Sequence, residues 1–383
     1  MEEILIKKKC SGCGIELQFE DKNKEGYVPE EKFVMQDDLL CQRCFKIKNY
    51  GENLVNNFSR EDYLKEVNES VKKSDIILPI FDIIDFEGSF TEEILDYLRD
   101  YRSIILVNKI DLMPDFIHPS EISNWIKDRL AEEDIVPDDI AFISAKSKYG
   151  INGVIRKIKS IFPDKKVKAV VLGVSNVGKS SVINLLLGKN KITTSKYSGT
   201  TLKSINNKIP DTDITITDTP GLIPKEKRLS DMISVETGLK LVPAGEISRK
   251  TFKLEEGQVF MFDAFCWFKV KENNIVNKTE EETGYKPIFS AYSSKNVKFH
   301  LTKEERVEEL LEGDFFELLK GEEKKKYFEN EFITFKTTVK ENEDLVISGL
   351  GWINVKRGPL AIELTVPKGV KTVVRPSIFK GKK

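Results

Sequence analysis

The chain has 383 residues, which is enough for two to three domains at roughly 150 residues each. Hydrophobic residues make up 40%, charged residues 32%, and the formal net charge is −1, as in ordinary soluble domains. No apolar run approaches the ~18 residues that a membrane helix needs, and the only two histidines, His118 and His300, argue against chemistry centred on a histidine triad.

The first region, residues 1–55, begins with MEEILIKKK, which is too short and too acidic for a secretory signal or transit peptide. We therefore expect a cytoplasmic protein without a membrane segment. In a reducing compartment, paired C-x-x-C motifs indicate metal ligation before disulfides. The region carries two such pairs and predicts a closed, structural zinc site of four thiolates, formed by Cys10, Cys13, Cys41 and Cys44.

Basic residues surround these cysteines and also close the chain, where 367–383 holds six Lys/Arg and no Asp/Glu. Near the cysteines they could meet the phosphate backbone of RNA, although a solvated surface has the same composition. The terminal stretch could likewise touch RNA or be a disordered end.

Residues 56–224 alternate strand-like apolar runs with helical patterns, which indicates a parallel sheet covered by helices, an α/β domain. The expected strands are 76–82, 104–107, 140–144, 169–173, 205–210 and 214–218. The expected helices include 90–101, 121–132, 151–161 and 180–188. Ser89 with Glu92 predicts a capping box for the first of these helices.

The second strand leads into the motif Asn108-Lys109-Ile110-Asp111. A carboxylate at Asp111 can accept both N1–H and N2–H₂ of guanine, whereas adenine offers an acceptor at N1 and would repel it. We expect Asn108 to reach the far edge of the base and Lys109 to pack over the ring. Ser144, Ala145 and Lys146, at the end of the next strand, are expected to support guanine O6. An ATP-binding site is disfavoured by Asp111.

A phosphate loop follows the fourth strand, with Gly173-x-x-x-x-Gly178-Lys179-Ser180 opening a helix. Its backbone N–H groups can curl around a β-phosphate at a helix N-terminus that favours anions. Lys179 would neutralise phosphate oxygens and Ser180 would hold Mg²⁺. The nucleotide-contacting residues expected here are Ser175, Asn176, Val177, Gly178, Lys179, Ser180 and Ser181.

The sixth strand ends in Asp218-Thr219-Pro220-Gly221. Asp218 can hold Mg²⁺ through water, and the Gly221 N–H can meet a γ-phosphate. A threonine from the preceding Ser198–Thr201 stretch would complete the Mg²⁺ shell, with Thr201 preferred and Thr200 in reserve. We assign the catalytic roles to Lys179, Thr201 and Gly221.

The motif order is rotated, because the base-reading segments precede the phosphate loop instead of following it. Such a rotation is easy when the natural ends of a domain lie close together, and the short link PDKK at 163–166 would join them here.

Residues 225–383 differ in pattern, with short aromatic strands and one clear helix, TKEERVEELLEG. Thr302 and Glu305 predict a capping box at the start of this helix, and Gly313 predicts its end. We expect a separate α+β domain there.

Taken together, CSGCGIELQ, CQRCF, FDIIDFEGS, NKIDLMP, ISAK, GVSNVGKSS, SGTT and DTPG resemble the circularly permuted GTPases, and the cysteine-bearing start is most similar to the bacterial YqeH group. This resemblance spans about 10–222 and is looser beyond it, through the ending KTVVRPSIF. It implies a circularly permuted P-loop GTPase domain with an N-terminal treble-clef-like zinc module. It also implies a GTP-hydrolysing protein that helps assemble the small (30S) ribosomal subunit, with 16S rRNA as the expected partner and a monomer favoured.

Many GTPases use a glutamine directly after D-x-x-G to orient the attacking water, but Leu222 stands here. The resemblance places the chain among GTPases with a hydrophobic residue at this position, so we expect slow turnover until a partner orders the site. Asn176 is similar to the asparagine that holds K⁺ in potassium-stimulated relatives, although it equally suits a tight turn. The alternative function is a zinc-bearing RNA-binding scaffold that uses GTP as a switch with negligible turnover.

Overall fold

The computed structural model describes residues 8, 10, 15–22, 24, 26–35, 39–42, 45, 59–114, 117–188, 204–243, 245, 247–272 and 286–379. They form two compact units, and neither is continuous in sequence. The first unit lies within 1–83, 89–111 and 127–224, and the second within 84–88, 112–126 and 225–383.

The elements up to residue 218 alternate strand and helix as the sequence predicts. In chain order they are α1 (Glu30–Met35), α2 (Arg60–Lys72), β1 (Ile76–Asp82), α3 (Phe86–Ser89), α4 (Glu92–Asp100), β2 (Ile104–Asn108), a 3₁₀ turn (Ile110–Leu112), α5 (Pro119–Ala131), β3 (Asp139–Phe142), α6 (Ile151–Ile161), β4 (Val167–Leu172), α7 (Lys179–Leu186), β5 (Ile205–Lys208) and β6 (Ile214–Asp218). The ends of the predicted strands and helices differ from these by at most two residues.

Six of these strands form one sheet in the order β3-β2-β1-β4-β6-β5. Every neighbouring pair is parallel except β5 and β6, which form an antiparallel edge. All seven residues of β1 are buried, as expected for a strand covered on both faces, which reads as a continuous apolar run. The predicted parallel α/β sheet is thus confirmed, and the carboxyl ends of its parallel strands share one edge.

The capping box predicted from Ser89 and Glu92 for α4 is wrong. Thr91, not Ser89, is the N-cap of α4, and its side chain makes no capping hydrogen bond. The Ser89 Oγ instead accepts the backbone N–H of Asp82 at 3.0 Å, so it fixes the end of β1.

The second unit is dominated by antiparallel strands. Its elements beyond residue 225 are a 3₁₀ turn (Leu229–Asp231), α8 (Val235–Leu241), β7 (Ser248–Lys253), β8 (Gln258–Phe262), β9 (Cys266–Glu272), β10 (Ile288–Ser293), β11 (Phe299–Lys303), a 3₁₀ turn (Glu304–Arg306), α9 (Val307–Glu312), α10 (Gly321–Phe328), β12 (Phe332–Val339), β13 (Glu343–Ile347), β14 (Gly351–Arg357), β15 (Leu360–Pro367) and β16 (Thr372–Pro376). They form two five-stranded sheets, β16-β13-β14-β10-β7 and β11-β8-β9-β15-β12.

Aromatic side chains fill the core between these two sheets. Phe260 and Phe268 of one sheet pack against Phe289 of the other, with ring centroids 5.0 and 5.6 Å apart. Cys266 is fully buried in this unit. Thr302 belongs to β11 and pairs with Val259, so the capping box predicted there is wrong, whereas Gly313 does end α9.

A buried ionic cluster also belongs to the second unit. The Arg375 guanidinium contacts Glu87 at 3.2 Å and Asp344 at 3.7 Å, and it lies over the Trp125 ring at 4.7 Å. Arg375 is only 3% exposed, so this residue of the basic C-terminal stretch is part of the protein interior.

In the part of the chain that the structure describes, no helix has the length and apolar character needed to cross a bilayer.

Candidate nucleotide site

The loop after β4 has the backbone shape that phosphate binding requires. Gly173 to Gly178 leads into α7, which begins at Lys179. Asn176 and Gly178 adopt left-handed backbone angles, with φ of 66° and 93°. A Cβ added at Gly178 would lie 2.4 Å from the Asn108 Nδ2, so the close approach of the two loops requires glycine at this position.

Asn108 joins the phosphate loop to the loop after β3. Its Nδ2 donates to the Val177 carbonyl at 2.7 Å, and its Oδ1 accepts the Ala145 N–H at 3.1 Å. Ser144 is buried, and its Oγ accepts the Ser147 N–H at 3.0 Å, which closes the turn. The structure therefore gives Asn108 the task of holding three loops together, and its predicted contact with the far edge of guanine stays a prediction.

The two charged residues of the N-K-x-D motif differ in their surroundings. Lys109 adopts a left-handed backbone angle, φ 65°, and its Nζ pairs with the Asp82 carboxylate. Asp111 lies in the 3₁₀ turn and is exposed, as is Lys146 on the neighbouring loop. Asp111 is thus accessible to solvent, and its predicted contact with guanine stays a prediction.

Lys179 and Asp218 form the charged centre of the site. The Lys179 Nζ donates to the Thr219 carbonyl and lies 3.8 Å from the Asp218 carboxylate. Burial lowers the pKa of Lys179 and raises the pKa of Asp218, and the attraction between the two opposes both shifts. A polyanion beside Lys179 and a cation beside Asp218 would each favour the charged form of its neighbour.

The Asp218 carboxylate fits a metal-binding role. The residue is 0% exposed, and neither carboxylate oxygen has a hydrogen-bond partner among the described residues. A buried carboxylate without such partners is costly unless a cation or its waters complete its surroundings. Ser180 and Ser181, in the first turn of α7, are half-buried in the same unit. The residues present therefore fit Mg²⁺.

The loop after β6 is held against β4 and the phosphate loop. The Thr219 Oγ1 donates to the Val171 carbonyl at 2.8 Å, and the Leu222 N–H donates to the Gly173 carbonyl at 3.1 Å. A Cβ at Gly221 would stand 3.2 Å from the Ser175 Oγ, so Gly221 lies directly beside the phosphate loop. Leu222 is 1% exposed and is a core residue.

Several predicted site residues fall outside the described part of the chain. Thr200 and Thr201 belong to this group, as do Cys13 and Cys44. Cys10 and Cys41 are described, and both are buried, with the Cys41 N–H donating to the Cys10 Sγ at 3.2 Å. Within the described ranges no group of three or more potential metal ligands occurs, so the four-cysteine zinc site stays a prediction.

The sequence prediction missed Asp82 as a site residue. Asp82 ends β1 beside Asn108, which ends β2, and it orients Lys109. Its position at the carboxyl end of an apolar strand was the available signal, since that is where Asn108 and Asp218 also stand.

Two family models match separate parts of the chain. Residues 168–256 match the family described as 50S ribosome-binding GTPase, and residues 286–378 match the family described as YqeH-like, C-terminal. The first match includes the phosphate loop and D-x-x-G, while the N-K-x-D segment precedes it. The chain is 30% identical to the uncharacterized protein YqeH of Bacillus subtilis, and the alignment covers 99% of the chain and 100% of that protein. The chain belongs to the YqeH family.

Other relatives of this YqeH-family chain are more distant. It is 28% identical to the probable ribosome biogenesis GTPase A of Mycoplasma genitalium, over 52% of the chain and 72% of that protein. The solved structure of YjeQ from Thermotoga maritima is 18% identical in sequence to the chain. The match covers 45% of the chain and 58% of the YjeQ chain, with a TM-score of 0.26. The matched GTPase domain and the site geometry together make the YqeH-family chain a GTPase, which hydrolyses GTP to GDP and phosphate.

Proposed function

We propose that this YqeH-family GTPase assists assembly of the small ribosomal subunit in the cytoplasm, contacts 16S rRNA and acts as a monomer. The observation that carries the proposal is that the base-reading and phosphate-binding loops share one sheet edge, while the position after Gly221 holds the buried Leu222. Such a site binds nucleotide but cannot orient water through that side chain. Turnover is therefore slow until a ribosomal partner completes the site.

Within this proposal Ser180, Asp218 and Thr201 would hold Mg²⁺, which would supply positive charge to the phosphate oxygens. The buried Asp218 carboxylate supports this assignment, since Lys179 lies 3.8 Å away and no described residue donates a hydrogen bond to it. Lys179, at the start of α7, would neutralise phosphate oxygens, and the Gly221 N–H would meet the γ-phosphate. K⁺ near the exposed Asn176 is proposed on the resemblance to potassium-stimulated GTPases, and the left-handed turn that this residue makes is equally what its alternative role in a tight turn requires.

The ribosomal assignment draws support from the relatives. One relative is named a probable ribosome biogenesis GTPase, and a matching family is described as binding the 50S subunit. The choice of the small subunit comes from the sequence resemblance, so an experiment has to present both subunits. The zinc module is proposed on the adjoining Cys10 and Cys41, with Cys13 and Cys44 as the remaining ligands.

The test is co-sedimentation of the purified chain with isolated small and large subunits at one fixed salt concentration. A non-hydrolysable GTP analogue, GDP and no nucleotide are compared. Lys179→Ala removes the phosphate contact, and Lys168→Ala, an exposed lysine on β4, is the matched control. We expect retention on small subunits with the analogue only, which is kept by Lys168→Ala and lost by Lys179→Ala. Retention on large subunits alone overturns the small-subunit assignment, and no retention on either overturns the ribosomal role.

The second candidate is an RNA-binding scaffold with negligible turnover, and Leu222 favours it because a buried leucine cannot take part in water activation. Equal retention in all three nucleotide states, together with no phosphate release in the presence of subunits, would support the scaffold. Phosphate release stimulated by subunits would exclude it.

A further inference from the structure

The segment FDIIDFEGS, residues 81–89, has no predicted contact with the nucleotide, although it is among the motifs that mark the sequence. It begins at the end of β1 with Phe81 and Asp82, and it ends at Ser89, the last residue of α3. Both of its ends belong to the first unit, together with the N-K-x-D residues 108–111. The contacts of Asp82 and Ser89 therefore connect this segment to the nucleotide site within a single unit.

Asp82 lies beside the start of the N-K-x-D motif. It is the last residue of β1 and pairs in register with Asn108, the last residue of β2. Lys109 follows directly, and its Nζ forms an ion pair with the Asp82 carboxylate. Since β1 lies between β2 and β4, the Lys109 side chain runs from β2 toward β1, on the side of the sheet where β4 leads into the phosphate loop.

The ion pair is shielded and its lysine is constrained. The Asp82 and Lys109 side chains are 9% and 19% exposed, so salt and water screen their attraction only weakly. Lys109 also has a left-handed φ of 65°, which is uncommon for a residue with a side chain and persists where the surroundings hold it. Backbone and ammonium are thus both fixed, and the methylene stem between them has little freedom left.

Asp82 is itself held from within the same segment. Its backbone N–H donates to the Ser89 Oγ at 3.0 Å. Asp82 is 7% exposed and Ser89 is 1% exposed, so this hydrogen bond is protected from water and costly to leave unmade. The two ends of the segment therefore fix each other, and Asp82 in turn fixes Lys109.

A lysine stem that is ordered in advance favours ligand binding. A free lysine side chain loses much rotational freedom when it covers a ligand, and this loss weakens binding. Because the Lys109 Nζ is already paired with Asp82, that loss occurs on folding instead. Methylene groups that cover the face of a base do not read its edge, so the gain is the same for different purines.

We propose that Asp82, supported by Ser89, is a positioning residue for guanine-nucleotide binding, which holds the Lys109 stem in the course that covers the base. This role rests on the GTPase activity and on the predicted packing of Lys109 over guanine, and it is independent of the ribosomal role. Contact with the base is the same before and during hydrolysis. Asp82 should therefore contribute to nucleotide affinity and not to kcat.

The test uses the full-length chain without ribosomal subunits. We measure the Kd values of GDP, inosine diphosphate and a non-hydrolysable GTP analogue, together with kcat and KM for GTP and the melting temperatures. The variants are Asp82→Asn, Lys109→Ala and the double substitution. Asp139→Asn is the matched control, because Asp139 also pairs with a lysine of the first unit, Lys157, at 2.6 Å. It begins β3, however, and so stands at the opposite edge of the sheet from the nucleotide loops.

For Asp82→Asn we expect all three Kd values to rise alike, by about tenfold, with kcat at saturating GTP within about twofold of the parent. Lys109→Ala should weaken binding at least as much, and in its presence Asp82→Asn should add little. Asp111→Asn should instead lose more affinity for GDP than for inosine diphosphate, which lacks the N2 amine. The Asp139→Asn control should resemble the parent.

Three results would overturn the proposal. One is a parental affinity in Lys109→Ala, which would leave Asp82 nothing to act through. Another is a full additional loss from Asp82→Asn in the Lys109→Ala chain. The third is a fall in kcat at saturating GTP, or a changed ratio of the GDP and inosine diphosphate affinities, in Asp82→Asn.

Ser89→Ala supplies an independent variant if Asp82→Asn does not fold. It removes the acceptor of the Asp82 N–H but leaves the carboxylate that pairs with Lys109. All three Kd values should rise in the same proportion, by less than in Asp82→Asn, and kcat should stay at the parental value. Parental affinities at a lowered melting temperature would show that the Ser89 contact serves the fold alone, and would overturn the support assigned to it.

Discussion

The Asn108 side chain links the two halves of the nucleotide site, because its Nδ2 donates to the Val177 carbonyl at 2.7 Å. Val177 lies in the phosphate loop and Asn108 ends β2, where the base-reading motif begins. Asn108 is 1% exposed, so the hydrogen bond is protected from water and costly to leave unmade. The predicted base-reading segment and the phosphate loop are therefore joined through one side chain.

Asn108→Asp tests this link. The carboxylate cannot donate to the Val177 carbonyl and would face it with like charge, so GTP and GDP affinities should both fall, by roughly 10- to 100-fold. Gly178→Ala attacks the same contact from the other loop, since its Cβ would lie 2.4 Å from the Asn108 Nδ2. In a double-mutant cycle measured by nucleotide titration, the combined loss should be much smaller than the sum of the single losses. Additive losses would show that the two changes act separately.

Asp111→Asn should redirect base preference. Asparagine offers a donor where the carboxylate accepts, which suits the additional carbonyl of xanthine and leaves guanine mismatched. Competition binding should show a loss of GTP affinity on the order of 100-fold and a gain for the xanthine nucleotide. Asp128→Asn, an exposed substitution on α5, is the control and should keep the parental preference. Unchanged GTP affinity in Asp111→Asn would remove Asp111 from base reading.

Leu222→Gln should not restore fast turnover. Leu222 is 1% exposed, and a buried glutamine amide without partners costs about 1–3 kcal/mol. We expect a lower melting temperature and no rise in kcat, as measured by thermal unfolding and phosphate release. Leu222→Met conserves volume and should resemble the parent in both. A large rise in kcat at unchanged stability would mean that the side chain can turn toward the nucleotide.

Asp344 should make stability depend on pH. Burial raises the pKa of its carboxyl from 3.8 to about 6, against the opposing attraction of Arg375. The folded chain then holds this proton more tightly than the unfolded chain. The contribution of Asp344 to stability is therefore full below pH ~4 and is lost as the pH rises through about 6.

Chemical denaturation of the parent and Asp344→Asn measures this contribution. Between pH 4 and pH 7, the unfolding free energy of the parent should fall relative to that of the variant by about 2 kcal/mol. Asp211→Asn, at an exposed turn, serves as the control and should give a constant difference. A constant difference for Asp344→Asn as well would show that the carboxyl stays charged over this range.

The sequence predicted the sheet and the loop segments of the site because each is encoded locally. A buried strand is a run of apolar residues, and the phosphate loop needs glycines at fixed spacing, so both can be read without knowing their neighbours. The links between loops could not be read in this way. Nothing near Lys109 in the sequence indicates that the Asp82 carboxylate will pair with it. Likewise, nothing near Arg60 indicates that its Nε will donate to the Ile223 carbonyl, because tertiary packing brings these partners together.

The capping boxes failed for the same reason. Thr302 has the right spacing to Glu305 for a helix start, but it belongs to β11 and pairs with β8 instead. Ser89 is likewise drawn to the end of β1 instead of the helix that follows. Local patterns of one serine or threonine and one glutamate are weak compared with a ladder of backbone hydrogen bonds.

The discontinuous second unit bears on how the protein can be divided. Its cluster of Glu87, Trp125 and Arg375 draws partners from both ends of the sequence, and Glu87 is 1% exposed. A chain that stops at residue 224 would keep Glu87 and Trp125 but lose Arg375, along with the Pro376 carbonyl that accepts the Trp125 indole N–H at 2.8 Å. Fragments designed by cutting the sequence there would lose the buried cation that pairs with Glu87 and would bare an aromatic patch, and so would be prone to aggregate during expression.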